Sequence, residues 1–417
     1  MIEFERYTLK NGLTVLLHQD KTTPMVVVNT LYNVGARDED ENQTGFAHLF
    51  EHLMFGGSKN IPDFDAPLQN AGGESNAFTS NDITNYYDIL PKENLETALW
   101  LESDRMLRLA FTDKSLEVQR SVVIEEFKQR YLNQPYGKVW LQLRPLVYQK
   151  HPYRWATIGK EIGHIENATM DDVKAFFQKH YHPGNAILTI AGNFESEGVK
   201  ALVEKYYGEI KQTTKNERNL PVEPKQTEYR SLDVEEDVPA NAFYFAFRMC
   251  GKQDEDFLPT DLISDLLGRD KSSLLYSELK KKHQFVSDVS AYILGSHDPG
   301  LLVVSGKLAK GVTFEKFEEA FWTLIAQFKS MDITDHEMTK TINKIRTAKE
   351  FQEQGLLNRA MNLSFFEHLG DASDINREMD KYKSITKESI KTIASKILVK
   401  SNCSVLKVHA KSDSNNG

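Results

Sequence analysis

Residues 169–190 read TMDDVKAFFQKHYHPGNAILTI, and residues 386–408 read TKESIKTIASKILVKSNCSVLKV. Each stretch places a Thr before an amphipathic helical pattern and ends with an Asn followed by apolar residues typical of a strand. Thr169 and Thr386 are 217 positions apart (386 − 169), and so are Asn185 and Asn402 (402 − 185). One spacing shared by a helix and a strand predicts a duplicated domain of about 200 residues.

The remaining patterns indicate α+β layers. Strand patterns alternate with helical patterns. The clearest strand patterns are Gly12–His18, Pro24–Asn33 and Asn76–Leu90, the last a single strand or a hairpin. The clearest helical patterns are Thr44–Phe55, Lys92–Ala110 and Asp113–Leu132. We predict two homologous domains, each a mainly antiparallel sheet covered by helices on one face. Residues 1–212 form the N-terminal domain, the polar segment 213–236 is the linker, and residues 237–417 form the C-terminal domain.

Composition excludes several classes of protein. The chain has 417 residues and a net charge of −9, which argues against nucleic acid as the main partner. Its two cysteines cannot form a disulfide framework, and no apolar stretch reaches the roughly 18 residues of a membrane span. The first residues lack a secretion signal. We therefore expect a cytoplasmic protein if this start is native, and a periplasmic one if an export signal was removed.

Residues 48–52 read HLFEH and supply the first candidate for chemistry. On a helix, His48, Glu51 and His52 fall within a stripe of about 100°. Two imidazoles one turn apart can chelate a single Zn²⁺, and Glu51 is placed to take a proton from a water that the metal activates. This is the H-x-x-E-H order of the inverted zincins. The alternative is an amphipathic helix with two surface histidines and a solvated glutamate.

A catalytic zinc needs a third protein ligand, and the helical pattern at 115–130 offers Glu125 and Glu126. A helical wheel places Glu126 in the middle of the apolar face and Glu125 at its margin. An unpaired carboxylate on an apolar face is costly, and a bound cation would explain it. A salt bridge to Arg105 or Arg108 is the alternative explanation. We favour Glu126 over Glu125 as the third ligand.

Together these residues resemble the insulinase or pitrilysin family of metallopeptidases. In that family the third ligand lies about 75 residues downstream in a VVxEE helix; here His52 and Glu126 are 74 positions apart (126 − 52), and residues 122–126 read VVIEE. Residues 72–79, 151–153 and 181–186 match further family landmarks, so the likeness covers nearly the whole chain. The length is similar to the bacterial and mitochondrial processing-peptidase branch.

The resemblance assigns roles to these positions. His48, His52 and Glu126 would hold one Zn²⁺ per chain, and Glu51 would be the catalytic base. Asn76 and Ala77 match edge-strand residues that pair with the substrate backbone, so we expect Asn76, Ala77, Phe78 and Thr79 to contact peptide substrates. The alternative for these four residues is an ordinary sheet edge that follows a Gly-Gly turn.

Three positions depart from the family pattern. Gln119 lies seven residues before Glu126, where many members carry a second glutamate; it can hydrogen-bond near the site but brings no charge. Lys280 and Ser287 stand where active members have an Arg and a Tyr that hold the substrate's carbonyl groups. Lysine cannot make the bidentate contacts of arginine, and serine is too short to replace tyrosine.

These departures lead to an expectation about partners. The resemblance implies the zinc-bearing subunit of a heterodimer whose homologous non-zinc subunit carries the Arg/Tyr pair, with a homodimer as the alternative. Two such chains would close like a clamshell over a chamber that admits unfolded peptides. The sequence therefore predicts a zinc endopeptidase. The competing function is a catalytically silent core or scaffold subunit of the same fold.

Overall fold

The computed structural model describes residues 1–211, 213 and 216–411. The chain divides into two units. The first comprises Met1–Lys128, Trp155–Pro221 and Lys349–Arg377; the second comprises Gln129–Arg154, Val222–Ala348 and Glu378–Gly417. The expected boundaries 1–212 and 237–417 are continuous, whereas each of these units takes one segment from the other half of the chain. Residues 212, 214, 215 and 412–417, which belong to the expected domains and linker, lie outside the described residues.

Helices occupy a large share of the described residues. In chain order they are α1 (Phe46–Leu53), α2 (Asp65–Asn70), α3 (Leu95–Leu107), α4 (Asp113–Phe127), α5 (Val139–Val147), α6 (Ile162–Glu166), α7 (Met170–His180), α8 (Ser196–Tyr207), α9 (Phe257–Ser264), α10 (Phe314–Ser330), α11 (Asp335–Gln354), α12 (Leu356–Leu369), α13 (Asp374–Lys383) and α14 (Lys387–Ile397). A π-helical turn, Lys128–Leu132, follows α4. None of the helices in the described part of the chain is both long and apolar enough to cross a bilayer.

The first unit contains a six-stranded sheet. Its strands are β1 (Glu5–Thr8), β2 (Thr14–Gln19), β3 (Met25–Tyr32), β4 (Glu74–Thr79), β5 (Thr84–Pro91) and β6 (Ala186–Gly192). They pair in the order β1-β2-β6-β3-β5-β4, which leaves β4 at an edge. Only the β2–β6 pair is parallel among these described strands. The predicted mainly antiparallel sheet is confirmed.

The second unit contains a five-stranded sheet. Its strands are β7 (Arg230–Glu236), β8 (Ala242–Arg248), β9 (Val286–Leu294), β10 (Leu301–Leu308) and β11 (Cys403–Ala410), paired in the order β7-β11-β8-β10-β9. The β7–β11 pair is parallel and the other pairs are antiparallel. This sheet repeats the pattern of the first, as the α+β prediction requires.

The duplication inferred from the sequence is visible in the elements themselves. Helices α7 and α14 begin 217 residues apart (387 − 170), and strands β6 and β11 do as well (403 − 186). The predicted threonine directly precedes each helix and caps it. The Thr169 hydroxyl accepts a hydrogen bond from the backbone N–H of Asp172, and the Thr386 hydroxyl accepts one from that of Ser389. These caps provide acceptors for backbone N–H groups that have no hydrogen-bond partner within the first helical turn.

Helices cover both faces of the first sheet. On one face the Tyr86 hydroxyl donates to the backbone carbonyl of Phe50 in α1. The neighbouring Asn85 points to the opposite face, because successive strand residues alternate. There Asn85 pairs with Asn29, whose side-chain N–H donates to Ser364 of α12. The sequence predicts helices on one face of this sheet. Helix α12, which is formed by residues 356–369, adds a second helical layer on the other face.

The second sheet is also buried on both faces. Phe245 and Phe247 of β8 pack in a cluster with Phe321 of α10. Ala246, which lies between those two phenylalanines, packs on the other side with Leu143 of α5. Helix α5 belongs to the segment Gln129–Arg154, which explains why that segment is part of the second unit.

Candidate metal centre

Three side chains of the first unit converge where α1 and α4 meet. His48 and His52 lie one turn apart on α1, with ring centroids separated by 4.9 Å. The Oε2 atom of Glu126, on α4, lies 3.5 Å from His48 Nε2 and 3.3 Å from His52 Nε2. Within the described residues this is the one group of at least three His, Cys, Asp or Glu side chains whose donor atoms all lie within 4.8 Å of one another.

The spacing of these donor atoms fits a zinc ion. Tetrahedral zinc holds His nitrogen at about 2.0–2.1 Å and carboxylate oxygen at about 2.0–2.2 Å, so neighbouring ligand atoms lie about 3.3–3.5 Å apart. The two Glu126–His distances fall in that range. Two imidazoles and one carboxylate are also a common donor set of catalytic zinc, which keeps a fourth position open. His48, His52 and Glu126 could therefore hold zinc without a large rearrangement.

The structure distinguishes the two neighbouring carboxylates of α4. The Glu125 side chain is 60% exposed and forms an ion pair with Lys128 at 2.7 Å. The Glu126 side chain is only 17% exposed and faces the two histidines. Arg105, considered from the sequence as a partner for Glu126, forms a buried ion pair with Glu102. The geometry thus brings Glu126 and not Glu125 to the histidine pair.

The N-terminus of α1 is held by a residue that the sequence analysis missed. Gly45 precedes the helix with φ = +88° and offers no side-chain cap. The buried carboxylate of Glu39 accepts hydrogen bonds from the backbone N–H groups of Gly45 and Ala47, at 2.9 and 2.8 Å. It also accepts one from the Trp155 indole at 3.1 Å. Burial raises the pKa of Glu39, while these three donors oppose the rise because they stabilise the charged form that accepts them.

The segment Trp155–Ala168 contacts both helices of the centre. Near α1, the Thr44 hydroxyl hydrogen-bonds His164 Nδ1 at 2.8 Å. Near α4, the Arg120 guanidinium donates to the backbone carbonyls of Ile165 and Ala168, at 3.2 and 2.7 Å. Because Arg120 lies on the same helix as Glu126, these contacts fix the two ligand-bearing helices relative to one segment.

Glu51 lies on α1 between the two histidines in sequence and is half-buried. Two buried tyrosines, Tyr86 and Tyr181, lie within electrostatic reach of its carboxylate. Burial raises the pKa of both phenols, with the Glu51 charge adding to the rise, so both keep their O–H groups at neutral pH. By helical spacing, Glu51 shares one face of α1 with His48 and His52.

The four residues expected to contact substrate lie on β4, the free edge of the first sheet. Their side chains alternate, so that Asn76 and Phe78 are exposed while Ala77 and Thr79 are half-buried. The Thr79 hydroxyl lies 3.4 Å from the Ala47 carbonyl of α1, which links the strand to the metal centre. The Ala77 N–H donates to the Asn76 side-chain oxygen at 2.8 Å. Ala77 therefore directs its backbone N–H away from β5.

The three departures from the family pattern lie on α4 and in the second unit. Gln119 is half-buried on α4, two turns before Glu126. In the second unit, Lys280 lies in a π-helical segment, Tyr276–Lys282, with its ammonium group 5.2 Å from the centre of the Tyr276 ring. Ser287 is exposed near the start of the edge strand β9.

Comparison with known proteins agrees with this geometry. The model of the insulinase family, peptidase family M16, matches residues 14–158, and the model of the inactive domain of peptidase M16 matches residues 167–345. Zinc protease PqqE of Helicobacter pylori is 32% identical over 344 residues, which cover 81% of this chain and 77% of that protein. The beta subunit of the mitochondrial-processing peptidase of Caenorhabditis elegans is 26% identical, over 56% of this chain and 49% of that subunit.

A solved structure shows the same architecture. The crystal structure of a protease from Helicobacter pylori superposes with a TM-score of 0.91 and 27% identity, covering 98% of this chain and all of that one. The two family models together span most of the chain. The chain therefore belongs to the insulinase family, peptidase family M16, and is a zinc protease of that family.

Proposed function

We propose that this protein is a zinc endopeptidase that hydrolyses peptides or unfolded protein segments. The observation that carries the proposal is the approach of one Glu126 oxygen to the Nε2 atoms of both His48 and His52, at 3.5 and 3.3 Å. A single ion per chain at this point would have three protein ligands. The fourth position would remain open to water or substrate, as in catalytic zinc sites.

Zinc, when bound, supplies the Lewis acidity that acidifies a water and polarises the scissile carbonyl. Glu51 then acts as the general base. Its carboxylate takes one proton of the attacking water as the water oxygen bonds to the carbonyl carbon, and returns that proton to the nitrogen as the C–N bond breaks, which leaves a carboxylic acid and an amine. Its place on α1, one residue before His52, keeps it on the same face as both histidine ligands.

Strand β4 would bind the substrate backbone. An extended peptide added to a sheet edge gains main-chain hydrogen bonds and little sequence preference. The Ala77 N–H, which points away from β5, would exchange the Asn76 side-chain oxygen for a substrate carbonyl. Asn76, Ala77, Phe78 and Thr79 would thus lie along the peptide, with Thr79 close to α1.

We also propose that the active form contains a homologous subunit. Active members of this family resemble one another in an Arg/Tyr pair that is Lys280 and Ser287 here. A non-zinc chain that carries the pair would complete the site and enclose a chamber that folded proteins cannot enter. The likeness to a chain described as a subunit of the mitochondrial-processing peptidase supports this arrangement. Gln119 would stay near the ligands as a neutral hydrogen-bonding group.

The test compares wild type with Glu51→Gln on an unstructured fluorogenic peptide. We expect wild type to cleave the peptide and Glu51→Gln to lose at least about 100-fold in kcat, because general base catalysis contributes about 10²–10⁴-fold. The variant should retain zinc, since Glu51 is not a ligand. Equal turnover by both proteins would contradict the proposed mechanism. If wild type binds zinc but cleaves nothing in the presence of the homologous subunit, the chain is a silent scaffold of the same fold.

The partner proposal has its own test. Turnover by the purified chain should be weak and should rise at least about tenfold on addition of a homologous chain with the Arg/Tyr pair, because substrate positioning contributes strongly to rate. Fast turnover by the chain alone would contradict the heterodimer.

A further inference from the structure

The N-terminus of α1 depends on Glu39 for its hydrogen bonds. The helix has eight residues, and the preceding Gly45 has no side chain to cap it. Glu39 accepts the N–H groups of Gly45 and Ala47, which the first turn of a helix cannot satisfy internally. Ala47 directly precedes His48. A movement of the Glu39 carboxylate would therefore shift the part of α1 that carries the first candidate ligand.

Glu39 is itself held on several sides. It follows a short 3₁₀ turn, Ala36–Asp38. The Arg218 guanidinium donates to the Asp38 carboxylate at 2.5 and 3.0 Å and to the Asn33 side-chain oxygen at 2.9 Å. The Trp155 indole reaches both Glu39 and the backbone carbonyl of Ala36. These contacts hold the short segment that carries Glu39, and the Trp155 indole holds its carboxylate.

We propose that Glu39 is a positioning residue for the metal centre, acting through the backbone of α1; this inference rests on the proposed zinc site. Glu126 is held by other contacts than those of Glu39, because the Arg120 side chain anchors α4 to the backbone carbonyls of Ile165 and Ala168. The His48–Glu126 distance thus depends on where α1 begins. Metal–ligand distances tolerate only about ±0.2 Å, so a small displacement of α1 weakens metal binding.

The test is the zinc dissociation constant of Glu39→Gln, measured by competition with a chromophoric chelator well below the unfolding temperature. Glutamine has nearly the same shape but places an N–H₂ group against one of the N–H donors. We expect the zinc Kd to rise about tenfold, the lower end of the 10- to 100-fold range for residues that orient metal ligands. A role limited to stability would lower the unfolding temperature and leave the Kd unchanged.

Glu223 provides a matched control in the second unit. Its carboxylate, 5% exposed, accepts the backbone N–H groups of Gln149, Lys150 and His151 at 2.8–2.9 Å. Glu223 also forms an ion pair with Arg248 at 3.0 Å, so Glu223→Gln makes the same chemical change, and loses this ion pair as well, at a site without metal ligands. We expect this variant to lower the unfolding temperature and to bind zinc as wild type does.

The outcomes separate the two claims. A Glu39→Gln protein that unfolds at a lower temperature but keeps the wild-type zinc Kd would overturn the inference. If Glu39→Gln does not fold, Trp155→Phe removes one donor and keeps the carboxylate; we expect a rise of a few-fold in zinc Kd, and no rise would overturn the inference. Wild-type protein that does not bind zinc would refute the proposed zinc site together with this inference.

Discussion

The Oε2 atom of Glu126 lies 3.3 Å from the Nε2 atom of His52, although the two residues are 74 positions apart in sequence (126 − 52). The contact joins two helices that begin 67 residues apart (113 − 46) and are held by a third segment, Trp155–Ala168. The candidate centre is therefore a product of tertiary packing as well as of the local H-x-x-E-H motif.

The first prediction compares the two adjacent carboxylates of α4. Glu126→Ala should raise the zinc Kd about 100-fold or more, since loss of a ligand exceeds the 10- to 100-fold effect of the residues around ligands. Glu125→Ala should leave it within about twofold, because Glu125 is exposed and pairs with Lys128. The measurement is zinc competition against a chelator. Equal losses in both variants would contradict the assignment of Glu126.

A second prediction concerns the edge strand. Ala77→Pro removes the backbone N–H that points away from β5. Proline is tolerated at such positions of edge strands, so the fold should persist. We expect kcat/KM for an unstructured peptide to fall about two- to tenfold, mostly through KM, because one main-chain hydrogen bond is worth about 0.5–1.5 kcal/mol. Glu74→Ala, on an exposed position of the same strand, is the control and should be neutral. Unchanged kcat/KM in Ala77→Pro would exclude strand addition here.

A third prediction is a pH dependence of stability at His180. Burial lowers the pKa of His180 to about 4, with Lys179, Arg218 and His182 adding to the effect and Asp38 opposing it. Between pH 6.5 and 4 the unfolded chain binds a proton that the folded chain does not, so stability falls as pH falls. The loss is on the order of 3 kcal/mol.

Urea unfolding of wild type and His180→Gln at pH 7.5 and pH 4.5 checks this sign. The free energy of unfolding should fall less for the variant than for wild type over this interval. A parallel decrease in the two proteins would show that His180 does not contribute.

A fourth prediction concerns the buried ion pair beneath the site. Arg105 is fully buried, pairs with Glu102 and lies over the ring of Tyr86 with its central carbon 4.5 Å from the ring centre. Arg105→Met leaves the Glu102 charge buried without its partner, which costs about 3–5 kcal/mol. Urea unfolding measures the loss, and Lys205→Met, which breaks an exposed pair with Glu96, should have little effect. A loss below about 1 kcal/mol for Arg105→Met would contradict the role of this pair.

Much of the centre could be predicted because its parts are local. His48, Glu51 and His52 share one helix face by spacing alone, and Glu126 stood out as a carboxylate on an apolar face of its own helix. The duplication could be predicted because α7 and α14, and likewise β6 and β11, are separated by the same number of residues. Each of these inferences needs only the geometry of a single helix or a comparison of the sequence with itself.

Glu39 and α12 could not be predicted in the same way. Glu39 acts on backbone N–H groups of a helix that begins seven residues later, and no side-chain pattern marks such an acceptor. Helix α12 joins the first sheet through Ser364, which bonds Asn29 across 335 positions. A contact between residues so far apart leaves no periodic pattern in the sequence. The second helical layer, and the segment that each unit takes from the other half of the chain, could therefore be seen only in the structure.

The most direct test is an anomalous difference map at the zinc edge from crystals of the zinc-loaded protein. We expect one peak in the first unit, about 2.0–2.2 Å from His48 Nε2, His52 Nε2 and a Glu126 carboxylate oxygen. A peak held by other residues, or no peak at these three side chains in protein shown to contain zinc, would contradict this expectation.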